Sequence, residues 1–336
     1  MIEIRKCKGN EITSVMSFID KHWKKNHALA KSKKLINWQH ESSDGAYNFI
    51  IAINKDNILG ILGYINNSRF CKTSNSSIVW LALWKIKDGL GTQGLGLKLL
   101  NKLKEIEKPS FIGVNGINKL HPPMYKALGY KTIELKCFFF INPKIESNLI
   151  LNKNLVELII PNKNTSMLIE MTANDLKNLN KLKHHLKIDN PKSTKYFIKR
   201  FLEHPFYKYR VFKILGADHG DALIATRVVM HKNSKALKIV DFAGDLSAIE
   251  YMGFPLLQKI IEENIEYVDF WQYGIEDNAL LFSGFNKLDD NSPLILPNYY
   301  EPFVKENTKI LSAFKSHSSN AFIFRADGDQ DRPNII

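Results

Sequence analysis

The sequence predicts an α/β protein of two domains, each a mixed central sheet flanked by helices. Three observations carry this. Apolar runs of strand length alternate with helical periodicity along the chain. One glycine-rich stretch, Lys87-Asp88-Gly89-Leu90-Gly91-Thr92-Gln93-Gly94-Leu95-Gly96, leads straight from a strand into a helix. The element order before residue 143 partly recurs after residue 165. At 336 residues the chain is too long for one ordinary core, and 44% hydrophobic residues fill two.

In the first domain, expected over 1–143, Ile2 to Cys7 alternates as a strand does. Asn10-Glu11 then open a helical pattern carried by Ile12, Val15, Met16, Ile19 and Trp23. A segment with Lys21, Lys24, Lys25, Lys31, Lys33 and Lys34 reads as a solvated helix face and closes on Leu35-Ile36-Asn37-Trp38-Gln39-His40. Asn48 to Ile53 and Ile58 to Ile65 flank a short Asn/Asp turn and make a β-hairpin. Ser77 to Lys85 is the strand before the glycine-rich stretch, and Leu97 to Leu103 the helix after it. Ser110 to Asn115 is a short buried strand. His121 to Tyr130 opens with proline and closes with glycine, which marks a short helix. Thr132 to Ile141 is the last strand, ending at Asn142-Pro143.

Residues 144–164, with Pro161 and several asparagines among apolar residues, read as a crossover. The second domain, 165–336, begins with a strand, Ser166 to Met171, and helices Asp175 to Leu186 and Lys195 to Glu203. Strands Tyr209 to Leu215, Ala222 to His231 and Lys235 to Phe242 follow. A helix Leu246 to Asn264, a strand Tyr267 to Gln272 and a short helix Asn278 to Gly284 complete the recurrence. Where the first domain has its glycine-rich loop, this one has Asp241-Phe242-Ala243-Gly244-Asp245-Leu246-Ser247. Two aspartates there would repel a pyrophosphate.

Lys and Arg total 47 against 34 Asp and Glu, so the net charge is +13 and an anionic partner is expected: nucleic acid, a phosphorylated cofactor or a membrane surface. Cys7, Cys71 and Cys137 are odd in number and widely spaced, which suggests neither a disulfide framework nor a metal cluster and points to a reducing, cytoplasmic setting. No stretch has the roughly twenty apolar residues that a membrane span needs, and no signal peptide is expected. Asp327, Asp329 and Asp331 alternate in the tail, but the glycine and distal Glu of a calcium loop are not in place. We expect these acids to pair with the body of the protein, and no metal to be required.

A glycine-rich turn that opens a helix leaves backbone N–H groups unpaired and aimed at one point, a cradle for pyrophosphate. Gly91-Thr92-Gln93-Gly94-Leu95-Gly96 also resembles the coenzyme A loop of the GNAT acyltransferases, Arg/Gln-x-x-Gly-x-Gly/Ala, with Gly91 where that family has Arg or Gln. Val114, Asn118, Tyr125, Gly129 and Tyr130 fit the next block of the family in register, with Tyr130 for Phe. The resemblance implies two GNAT-like domains in tandem, the first binding acyl-CoA. Leu83 and Trp84 on the strand, Thr92, Gln93, Gly94, Leu95 and Gly96 in the loop, and Asn118 would hold the cofactor. Tyr125 would protonate the leaving thiolate.

Trp38-Gln39-His40, the tail and the tandem order resemble nucleotide-sugar N-acyltransferases that modify dTDP-linked amino-dideoxy sugars for O-antigen or capsule synthesis. The implied acyl group is acetyl or a short hydroxyacyl such as 3-hydroxybutanoyl. His40 and Asp241 are candidates for a general base, though an amine that enters neutral needs none. The second domain would bind the acceptor, with Trp38, Asp245, Trp271 and Tyr273 as candidate contacts; neither nucleic acid nor membrane is an expected partner. The competing readings are an aminoacyl-tRNA-dependent peptidyltransferase and a non-catalytic acyl-CoA-binding protein.

Overall fold

The computed structural model describes residues 1–70, 77–89, 92–179, 182, 188–216, 220–317, 320–334 and 336. Gly91, Cys71 and Leu186 lie outside the described residues, and the helix expected over Asp175 to Leu186 runs only over Ala173–Asn178, because Leu179 at its end is extended. In chain order the strands are β1 (Glu3–Cys7), β2 (Tyr47–Asn54), β3 (Asn57–Asn66), β4 (Ile78–Ile86), β5 (Phe111–Asn115), β6 (Lys131–Glu134), β7 (Lys136–Ile141), β8 (Met167–Glu170), β9 (Arg210–Leu215), β10 (Ala222–His231), β11 (Ser234–Gly244) and β12 (Tyr267–Tyr273). Five further strands follow: β13 (Asn286–Lys287), β14 (Tyr299–Tyr300), β15 (Phe303–Val304), β16 (Leu311–Ser316) and β17 (Ile323–Phe324).

The expected strands form, except that Thr132 to Ile141 is two strands, β6 and β7, in different sheets, and together they build two sheets of matching plan. The first has the order β1-β2-β3-β4-β5-β16-β6, the second β13-β7-β12-β11-β10-β9-β8. Each begins as an antiparallel meander of four strands, β1 to β4 or β8 to β11, and then turns parallel, at β4/β5 in one and β11/β12 in the other. The next position in each sheet is filled from the other half of the sequence, by β16 in the first sheet and by β7 in the second.

The expected boundaries at 143 and 165 are therefore corrected. One compact unit comprises 1–132, 312–317 and 328–336, and the other 133–311 and 318–327. The physical reason is that an apolar run fixes a strand but not its neighbour. Cys137-Phe138-Phe139-Phe140, buried throughout, suits the inside of either sheet.

In the first unit, helix Leu95–Glu107 packs one face of the sheet through Leu95, Leu99, Leu100 and Leu103. Ile12, Val15, Ile19, Leu35 and Ile36 cover the other face from the N-terminal helices. In the second unit, Leu256, Leu257 and Ile260 close over Phe138, Phe140, Ile239, Val268 and Phe270. The helix expected over 246–264 is two pieces, a 3-10 segment Leu246–Tyr251 and an α-helix Gly253–Glu262. Pro255 has no N–H to give and so is tolerated in a first turn but not in a helix interior, which restarts the helix at Gly253.

Candidate active site

β4 pairs with β5 only from Ile78↔Phe111 to Leu81↔Val114, yet it runs on to Ile86. Beyond Leu81 its backbone has β3 on one edge and no described strand on the other. The register against β3 passes from Tyr64↔Leu81 to Leu62↔Trp84, so β4 carries an extra residue there. Such a bulge turns the following side chains over. Leu81 packs with Leu95 and Leu99, Leu83 packs in the cluster on the opposite face, and Trp84 returns to the helix side.

The glycine loop meets that strand end. Gly94 caps the helix at φ 71°, in the left-handed region where a Cβ is strained. Thr92 Oγ1 donates to Gly89 O (2.9 Å), and Leu95 N–H to Thr92 O (3.1 Å), closing the turn. The N–H groups of Gln93, Gly94, Gly96 and Leu97 have no partner among the described residues, and no acidic residue lies in the first turn. A Cβ on Gly96 would stand 3.3 Å from Trp84 Nε1, a tight contact, so glycine lets the loop close on the indole without a shift of the ring. Free donors, a bare backbone and the positive end of a helix fit a pyrophosphate.

Tyr125 lies beside this group, its ring centroid 6.5 Å from that of Trp84. Its hydroxyl makes no hydrogen bond among the described residues, and burial pushes the phenol up to about 12. Asn118 is exposed; its Oδ1 accepts from Leu120 N–H (3.0 Å) in the turn that leads to the Tyr125 helix, and its amide N–H donors are uncommitted among the described residues. The structure thus gathers Trp84, the loop and Tyr125 at one end of the first sheet.

Each of the remaining predicted residues has its own surroundings within its unit. His40 is buried, its Nδ1 3.0 Å from Tyr64 O and its Nε2 3.2 Å from Gln39 Nε2, with its ring 4.4 Å from Phe49. Burial pushes it down to about 3. It is a neutral core histidine with both ring nitrogens engaged, an arrangement that leaves a base no open site. Trp38 is half-buried against Phe70, ring centroids 5.5 Å apart. Asp245 is buried and spends both carboxylate oxygens on local geometry, Oδ1 accepting from Ser247 N–H (3.0 Å) and Oδ2 from Gly220 N–H (2.7 Å). Trp271 is buried at the end of β12, its Nε1 donating to Asp269 Oδ2 (3.3 Å), and Tyr273 follows half-buried.

Asp241 belongs to a cluster that the sequence did not announce. Lys192 Nζ lies 2.5 Å from Asp241 Oδ1 and 2.9 Å from Asp327 Oδ1, all three side chains buried. Burial pushes Asp241 up to about 7 against the pull of Lys192, with the Asp327 charge adding to the rise. The cluster anchors the C-terminal segment in the second sheet where β11 and β12 part, after Ile239↔Phe270. There β17 pairs with Gln272 and Tyr273, Ala326 N–H donates to Val240 O (2.8 Å), and Phe324 stacks on Phe270 at 5.5 Å. The gap that β4 leaves beyond Leu81 in the first sheet is thus filled by the chain itself in the second. Asp327 supports the expectation that tail acids pair with the body. Lys192 has no sequence signal, since its partners lie far along the chain.

A mixed sheet whose central parallel strands splay, with a bulge at the splay and a glycine turn opening a helix below it, is the GNAT acyltransferase fold; here it occurs in tandem. Solved structures of that class share the architecture. A GCN5-related N-acetyltransferase from Anabaena variabilis matches 94% of this chain and 72% of its own at 9% identity, with a TM-score of 0.53. One from Kribbella flavida matches 94% of this chain and 72% of its own at 11% identity, with a TM-score of 0.51. A conserved protein of unknown function from Enterococcus faecalis matches 93% and 72% at 8% identity, with a TM-score of 0.52. Identities this low show the fold alone. No protein-family model matches the chain, and no curated protein does.

Proposed function

We propose that the chain is an acyl-CoA-dependent N-acyltransferase. It moves an acetyl or short hydroxyacyl group to the amine of a dTDP-linked amino-dideoxy sugar, in the cytoplasm, for O-antigen or capsule synthesis. The observation that carries the donor half is the convergence of the N–H groups of Gln93, Gly94, Gly96 and Leu97 with Trp84 and Tyr125 in the first unit, set against a second unit whose corresponding gap is filled. The acceptor half rests on the resemblance of Trp38-Gln39-His40, the tail and the tandem order to sugar-modifying enzymes.

In this reading the loop N–H groups hold the pyrophosphate. The β4 backbone beyond Leu81 pairs with the pantetheine arm and donates an N–H to the thioester oxygen as it gains charge. Asn118 offers its amide to the same arm. The sugar amine attacks in its neutral form. Tyr125, kept protonated by burial, gives its proton to the departing sulfur, and the proton that the acylated nitrogen sheds returns to it.

The test is release of free thiol from acyl-CoA across a panel of dTDP-amino sugars, with mass spectra of the products. Release only in the presence of an amino sugar supports the reading. A requirement for tRNA transfers the protein to the peptidyltransferases, and binding of acyl-CoA without turnover makes it a sensor.

A further inference from the structure

The second unit carries a cleft of about 510 Å³, within the range of small-molecule sites. It lies where β12 ends and β7 begins, at Trp271↔Cys137 and Gln272↔Lys136. That is the C-terminal end of a parallel pair, where α/β folds place their ligands. Trp271 lines it, with its indole held by Asp269 (3.3 Å).

The charges on its walls are unequally shared. Lys136 (2.6 Å) and Lys287 (3.0 Å) both rest on one carboxylate, Asp277. Lys309 is divided between Asp290 (2.7 Å) and Glu134 (3.0 Å). One cluster has two cations to one acid and the other two acids to one cation. The hydrogen bond to Asp290, then that to Glu134, raises Lys309 above its ordinary value, as a surplus of acid should. Glu134 and Lys136 are two residues apart and Lys287 and Asp290 three, so the two clusters are neighbours on the wall. The cleft is thus mixed in charge: Lys136 and Lys287 share Asp277, Glu134 and Asp290 share Lys309, and Asp289 lines the wall beside them.

We propose that this cleft binds the acceptor, a nucleoside diphosphate joined to an amino sugar, with its phosphates on Lys136 and Lys287 and its amine toward Glu134 and Asp290. The assignment rests on the acceptor proposed above and adds where it is held. Two lysines sharing one acid keep donors for a second anion, and two acids sharing one lysine keep acceptors for the N–H groups of an amine. A simple anion site would need only the first cluster.

Calorimetric titration of the full chain with thymidine diphosphate, and separately with coenzyme A, tests this. Lys136→Met with Lys287→Met should weaken thymidine diphosphate at least tenfold and leave coenzyme A affinity unchanged. Glu134→Gln with Asp290→Asn should leave thymidine diphosphate binding intact and weaken the dTDP-amino sugar. Equal binding of thymidine diphosphate by wild type and the lysine variant overturns the cleft while the acceptor assignment stands. A wild type that binds coenzyme A but no thymidine diphosphate overturns the cleft and the nucleotide acceptor together, leaving the acyl-CoA reading. If the methionine pair also loses coenzyme A, the Lys136→Arg, Lys287→Arg pair decides, because recovery of thymidine diphosphate binding is then required.

Discussion

Burial acts on Tyr125 and His40 in opposite directions. It pushes the phenol up to about 12 and so keeps its proton, and it pushes the imidazole down to about 3 and so keeps it neutral. A proton donor for a thiolate must hold its proton until the sulfur departs, and Tyr125 does. Tyr125→Phe should lower kcat roughly a hundredfold with little change in coenzyme A affinity, read by steady-state kinetics and calorimetry; an unchanged kcat removes it from the reaction. For His40 the sign follows from linkage. The unfolded chain takes up a proton below about pH 6.5 that the folded chain refuses, so stability falls as pH drops from there toward 3. Denaturant melts at pH 7 and pH 5 should show the loss, and His40→Gln, which can still donate to Tyr64 O, should shrink it. An equal loss in the variant would assign the pH dependence to other groups. The glycine turn and the short helix that carries Tyr125 were legible in the sequence because their signals are local. The burial of His40 was not, since it depends on β3 and Phe49 closing around it.

Among the elements, β17 is the one whose place is set by charge as much as by pairing. Lys192 ties Asp327, just past this strand, to Asp241 on β11. Lys192→Met would leave buried carboxylates without their cation. It should cost about 3–5 kcal/mol in denaturant unfolding and speed proteolysis of the C-terminal segment, the usual scale for breaking a buried ion pair. No change in either would make the cluster incidental. Strands β13 to β17 went unrecognised in the sequence, while those through β12 were largely readable from alternation and turn residues, as Asn54 to Asn57 illustrates. Their neighbours were not. Nothing local in Leu311-Ser312-Ala313-Phe314 says that it will lie against β5, with Ser312 opposite Asn115 and Phe314 opposite Gly113.

At the scale of the whole molecule, the crossover at 144–164 is a poor place to cut. A fragment of residues 1–143 lacks the strand that joins β5 to β6, and keeps β7 without its sheet. Expressed alone it should be insoluble or lack cooperative unfolding by circular dichroism, and co-expression with 144–336 should restore both. A folded 1–143 would show that the exchanged strand is dispensable. The charge of +13 suits an enzyme whose proposed ligands, acyl-CoA and a nucleotide sugar, are both anionic.

The exchanged strand also sets a schedule for synthesis. β5 and β6 leave the ribosome early, but β16 follows β6 by most of two hundred residues, on the order of ten to forty seconds at ordinary elongation rates. For that interval the nascent first sheet keeps an empty slot with open hydrogen-bonding edges on both sides, the kind of edge that invites wrong partners. The demand for a chaperone should therefore fall late in translation, after the first sheet's other strands are made and before its last one arrives.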